Sequence, residues 1–153
     1  MTFEELLAAF ADEFGIEGLS SQDGVSALDI DGMVVIMMDV GDALIANASI
    51  GQQPPENAEI FAHLLLEANQ ELWNGTTTFA RNHESGEYIL IARFPFVSLE
   101  FDAFCDELSS FVNKVEQWHR LLEDFRPSAE KAQKITEDEG NATFPIGNGF
   151  MQV

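Results

Sequence analysis

The sequence predicts an α+β fold, one antiparallel sheet packed with helices in the order α-β-β-β-α-β-β-α. Apolar residues recur at a helical period in three separate stretches. Between those stretches lie five short apolar runs of strand length, three before the middle helix and two after it. Asp31-Gly32 and Gly41-Asp42 separate the first three runs, which makes an antiparallel meander their natural product.

Thr2 and Glu5 have the spacing of a capping box, and Phe3, Leu6, Leu7, Phe10 and Phe14 then share one helical face until Gly15. After the turn at Asp23-Gly24, strands are expected over Val25 to Ile30, Met33 to Met38, and Ala43 to Ile50. Pro54-Pro55 breaks the chain, and a helix opens at Glu56 or Asn57 and runs to about Asn74, with Gly75 at its exit. Two more strands, Thr76 to Asn82 and Glu87 to Phe94, flank the turn at His83-Glu84-Ser85-Gly86, and Pro95 ends the pairing. Ser98 is placed to cap the third helix, whose Phe104, Leu108, Phe111, Val115, Trp118, Leu122 and Phe125 keep a helical period.

With 153 residues and 46% hydrophobic content, the chain is large enough for one packed domain, assigned to 1–125. Residues 126–153 change character, from a polar stretch to Phe144, Ile146, Phe150 and Met151 among glycines. Two readings stay open for this C-terminal tail: an unstructured end, or a segment that docks on an apolar groove of this or a neighbouring subunit.

Charge narrows the function. The formal net charge is -20, with 27 acidic residues against seven basic ones, Arg81, Arg93, Lys114, Arg120, Arg126, Lys131 and Lys134. No cluster of these would neutralise a run of phosphates, so no nucleic-acid partner is expected. Anionic membrane surfaces and metabolites are repelled, whereas a basic polypeptide segment is attracted. Glu4 and Glu5 stand where a secretory signal carries basic charge, and no apolar run is long enough to span a bilayer. A soluble protein of a reducing cytoplasm follows, and the lone Cys105, among Phe104, Leu108 and Phe111, reads as a buried thiol.

A catalytic centre is not expected. Ala27 to Gly32 resembles the first motif of haloacid-dehalogenase phosphatases, where an aspartate after a strand attacks phosphorus. That chemistry needs a crossover helix, a lysine and further carboxylates for magnesium, yet here another apolar strand follows, so Asp29-Ile30-Asp31-Gly32 reads as a hairpin. His63, His83 and His119 are isolated in sequence, with no second ligand one helical turn away, so neither a metal nor another cofactor is expected.

The remaining signals concern surfaces. Val34, Ile36 and Met38 lie on one face of their strand and Met33, Val35 and Met37 on the other, so both faces need cover. The first and third helices suit one face; the other falls either to the middle helix or to a subunit or client. Phe61, Leu64, Leu65, Ala68, Leu72 and Trp73 exceed the stripe that a small sheet requires. Leaving several of them wet would forfeit several kcal/mol at about 25 cal/mol per Å². A two-fold dimer is the economical solution, with burial inside one subunit as the alternative.

These features together resemble the class I type III secretion chaperones of the Tir-chaperone (CesT-like) family. The likeness is carried by Leu6, Leu7 and Phe10, by Leu64-Leu65 to Ala68-Asn69 before Gly75, by the strand pair around Gly86, and by Phe104, Leu108, Phe111 and Trp118. It implies a bacterial cytoplasmic homodimer joined through the middle helix, at Phe61, Leu64, Leu65, Ala68 and Leu72. It further implies a secreted effector protein as partner, whose N-terminal region is held partly extended and secretion-competent without ATP, by strand addition and apolar grooves. Leu7, Phe10, Phe14, Leu28, Val34, Ile36 and Met38 become the client-facing candidates. Alternatives are a protein-binding or regulatory domain of the same fold outside secretion, and an acidic decoy of a nucleic-acid-binding protein.

Overall fold

The computed structural model describes residues 1–72 and 75–139, with side chains over 1–71 and 75–125. Helix α1 (Phe3–Phe14) starts at the reciprocal cap: the Glu5 N–H donates to Thr2 Oγ1 at 3.3 Å, and the Thr2 N–H donates to Glu5 Oε2 at 2.8 Å. Hydrogen bonds from the Thr2 main chain and side chain hold the Glu5 carboxyl below its ordinary range. This cap therefore contributes at pH values above the unfolded carboxyl's range, and its contribution fades as pH falls through the lowered folded value. Gly15, at φ 63°, closes the helix in the left-handed conformation.

The five strands are β1 (Val25–Ile30), β2 (Met33–Asp39), β3 (Ala43–Gln52), β4 (Thr77–Arg81) and β5 (Glu87–Pro95), with α2 (Ala58–Leu72) between β3 and β4. They form one antiparallel sheet in the order β1-β2-β3-β5-β4. The β1–β2 turn has Asp31 at φ 52° and Gly32 at φ 84°, as a two-residue hairpin requires, and Asp29 Oδ1 accepts from the Gly32 N–H at 2.8 Å. The aspartates of the phosphatase-like motif are thus turn residues.

After Pro95 the chain makes a single 3₁₀ turn over Phe96–Ser98, and α3 begins at Phe101, so Ser98 is not its cap. The Phe96 N–H donates to Asp42 O at 3.1 Å, and the ring packs on the core, which holds this turn apart from the helix. Helix α3 (Phe101–Glu139) runs past Phe125, where the sequence suggested an end, and crosses Pro127. One proline removes one donor, and the helix on either side carries the chain through. Residues 140–153, including Phe144, Ile146, Phe150 and Met151, lie outside the described residues.

One face of the sheet carries the core. Leu28, Val35, Met37, Leu44, Ile50, Leu90 and Phe94 are buried against Phe3, Leu6 and Leu7 of α1 and Phe104, Phe111, Val115 and Leu122 of α3. Ala46, Ala48 and Ala92 form a low floor in the middle strands, which leaves room for the rings that α3 brings down. Phe104 meets Phe94 edge-on at 5.4 Å and Phe10 at 6.4 Å. Helix α2 joins at the other end, where Phe61 lies 5.5 Å from Tyr88, 5.7 Å from Phe125 and 6.5 Å from Trp118.

Helix α2 also closes a sheet edge. Asn69 Nδ2–H donates to Phe79 O at 3.0 Å, and the Phe79 N–H donates to Asn69 Oδ1 at 2.6 Å. A primary amide has the donor and acceptor of a peptide unit, so Asn69 stands in for one residue of a sixth strand beside β4. We expect Asn69→Ala to lower stability by about 1–3 kcal/mol and to speed exchange of the Phe79 amide, measured by urea denaturation and hydrogen exchange.

A second constraint sits on the inner face. The β3–β5 register shifts between Ser49 and Gly51, where Gly51 adopts φ 131° and a Cβ would stand 2.7 Å from Leu122 Cδ2. His119 Nδ1 lies 3.0 Å from Ile50 O beside it, so α3 rests directly on this bulge. Gly51→Ala combines backbone strain with overpacking, for an expected loss of about 2–4 kcal/mol in a urea titration.

Candidate binding surfaces

The hydrogen bonding of β1 leaves its outer edge open. Val25 exchanges main-chain bonds with Gln22 on that side, at 3.0 and 2.8 Å, so by strand alternation Ser26, Leu28 and Ile30 bond to β2. The N–H and C=O groups of Ala27 and Asp29 consequently point outward. Beside this edge, on the helix-covered face, α1, β1 and α3 border a groove of 460 Å³ lined by Phe10, Phe14, Ile16, Leu28, Ile30, Cys105, Leu108 and Val112. Phe14 is 56% exposed and stacks on Phe10 at 4.5 Å, which presents a ring at the groove's mouth.

A smaller cleft of 270 Å³ adjoins β1 beneath residues 16–20 and is lined in part by Ser26. Ser26 Oγ is buried without a hydrogen-bond partner among the described residues. A buried hydroxyl in that state is costly, and one beside an open sheet edge is suited to a bond from an incoming chain.

The expected client-facing residues divide between surface and interior. Leu7 and Leu28 lie inside the subunit, 2% and 3% exposed, with Phe10 buried behind Phe14. Val34 and Ile36 are exposed and Met38 half-buried on the sheet face away from the helices, together with Val25, Ile45, Ile89 and Ile91. The groove and the outer face are therefore separate apolar surfaces. Ile16, Cys105 and Val112 line the groove but were not among the candidates: Cys105 and Val112 read as part of the third helix's packing stripe, and Ile16 follows the end of the first helix's stripe at Gly15.

The residues expected between subunits divide in the same way. Phe61 and Leu65 are buried inside the chain, and Leu64 and Ala68 are half-buried. Trp73 and the side chain of Leu72 lie outside the described residues. The exposed large apolar side chains of α2 among the described residues are Ile60 and Leu66, the latter 65% exposed. Leu66 borders a largely apolar groove of 310 Å³ formed with Ala58, Ala62, Leu65, Phe79, Ala80 and Tyr88.

Burial pushes the Cys105 thiol up, and the carboxylates of Asp102, Asp106 and Glu13 push it further, the opposite of what a reactive thiolate needs. Among the described residues no three His, Cys, Asp or Glu side chains are arranged to hold a metal ion, and no helix is long and apolar enough to cross a membrane.

Solved structures share this architecture. A chain in the crystal structure of the ExsC–ExsE complex aligns at TM-score 0.70 and 24% identity, over 80% of this chain and 97% of that one. A chain of the HopA1–SchA chaperone–effector complex aligns at 0.66 and 18%, over 77% and 93%. The Yersinia pestis type III secretion chaperone SycH, solved with a fragment of YscM2, aligns at 0.62 and 22%, over 76% and 99%. No curated protein sequence matches. Residues 5–119, from α1 to the turn of α3 that carries Trp118, match the model of the Tir chaperone protein (CesT) family, and the chain belongs to that family.

Proposed function

We propose that this protein is a type III secretion effector chaperone of the bacterial cytoplasm that works as a homodimer and without ATP. It holds the N-terminal region of a secreted effector in a partly extended state. The observation that carries this reading is the open β1 edge lying directly beside an apolar groove. Main-chain groups at Ala27 and Asp29 would bond an added strand, and alternate side chains of that strand would enter the groove over Leu28 and Phe14. The chaperone–effector pairs of similar fold support an effector as the guest.

The subunit contact is proposed at α2. Leu66 is the exposed apolar knob on this helix, and the groove beside it is a matching hole, an arrangement that a two-fold axis can satisfy twice. Phe61 and Leu65 would support this surface from beneath, with Leu64 and Ala68 beside it; Leu72 and Trp73, expected here from the sequence, fall outside the described side chains.

Co-expression with the product of the adjacent open reading frame, followed by light scattering and limited proteolysis, tests both parts. We expect two chains per complex and protection confined to the client's N-terminal region. Leu66→Asp should yield a folded species of one 17.0 kDa chain. Phe14→Asp should release the client while leaving the dimer intact. A wild-type monomer at micromolar concentration, or a guest that binds only as a compact folded domain, would overturn the reading.

A further inference from the structure

We infer that the segment entering the groove between α1, β1 and α3 is a cationic amphipathic strand, with apolar side chains at alternate positions and Arg or Lys at those between. This inference rests on the groove being the client site. Its basis is an asymmetry of charge: the first 80 residues contain no lysine or arginine, so α1 and β1 contribute only carboxylates to the groove's surroundings. Asp29 and Asp31 stand at its β1 end. Glu13 and Asp106 do not line the groove but lie near enough to Cys105, which does, for their charge to push its thiol up.

The basic side chains described in the structure all bond elsewhere. Arg93 pairs with Asp42 and Arg120 with Glu116, while Arg81 bonds to Gln53 and Lys114 to Thr77. Carboxylates beside an apolar trough that pair with no cation among the described residues favour an incoming chain that brings its own.

Strand geometry sets the pattern. Residues paired across an antiparallel sheet share a face, and Asp29 shares the outer face with Val34. A position opposite Asp29 on an added strand would therefore lie beside its carboxylate, and the next position would turn into the groove. The Gly32 N–H bonds to Asp29 Oδ1 and fixes that carboxylate at the edge. Asp29→Asn keeps this acceptor and removes the charge, which makes it a clean probe.

The test uses short labelled peptides that alternate valine with arginine, with glutamine or with glutamate, and a fourth that alternates arginine with serine. Binding to the full chain is read by fluorescence anisotropy at low and at physiological salt. The valine–arginine peptide should bind about ten- to a hundredfold more tightly than valine–glutamine, the summed effect of a few exposed pairs. The glutamate and serine peptides should bind weakly or not at all, and added salt should shrink the arginine advantage. Asp29→Asn should also reduce that advantage.

Equal binding of the arginine and glutamine peptides would overturn this inference and leave the client groove standing. Full arginine preference retained in Phe14→Ser would mean diffuse attraction to an acidic protein, and would overturn it as well. Failure of all the peptides to bind would remove the groove reading and this inference together.

Discussion

A five-stranded antiparallel sheet has two edges, and this chain treats them oppositely. At β4 the amide of Asn69 bonds to both main-chain groups of Phe79, and α2 occupies the space where another strand would lie. At β1 residues 16–20 lie across a cleft from Ala27 and Asp29, and among the described residues no main-chain hydrogen bond from outside the sheet reaches either. Open edges invite uncontrolled pairing, and soluble proteins usually blunt them with charge, bulges or covering helices. Here the acidic residues of the β1–β2 turn give partial protection, since Asp29 and Asp31 discourage a second copy of the same acidic edge from pairing with it. The same charges would not repel a basic strand.

Core packing explains why the groove survives beside that edge. Phe10 leans on Phe104 and Phe104 on Phe94, so rings from α1 and α3 close over the central strands. Toward β1 the rings thin out: Ser26 and Leu28 are covered, while Ile30 at the end of the strand stays half-buried and borders the trough. Phe14 is left stacked on Phe10 with more than half its surface exposed. Filling the trough from within would have required a longer α1, which Gly15 ends by turning left-handed.

Much of this was legible in the sequence because turn chemistry is local. Asp31-Gly32 sets the first hairpin within one residue, and the Thr2–Glu5 spacing sets the start of α1. Strand order was not legible, since β5 inserts between β3 and β4, and which strand ends at an edge depends on long-range register. The residues of β2 show the difficulty: Val35 and Met37 are buried while Val34 and Ile36 are exposed, yet all four are apolar, so alternation gave no sign of which face was inner. Leu7 and Leu28 were likewise open to either assignment, and the packing of α1 and α3 on one face of the sheet puts them inside. Asn69 was legible as part of the family signature, but its bonding to the β4 edge was not, since that depends on where α2 docks.

The two proposed surfaces lie at opposite ends of the strand order, and that separation constrains the guest. From β4 to β1 there are four interstrand steps, about 19 Å at ~4.8 Å each. If α2 joins two subunits beside their β4 edges, the two open β1 edges face outward at the far ends of the pair, separated by roughly 40 Å or more before the helices are counted. A compact client domain of ordinary size would reach one edge easily but would have to unfold to occupy both. An extended segment advances about 3.3 Å per residue, so a dozen or more residues between two strand-forming stretches would bridge the gap. In the proposed dimer, holding a guest extended would require no energy input: two identical edges far apart would favour a chain long enough to reach both, through the effective concentration that the first attachment gives the second.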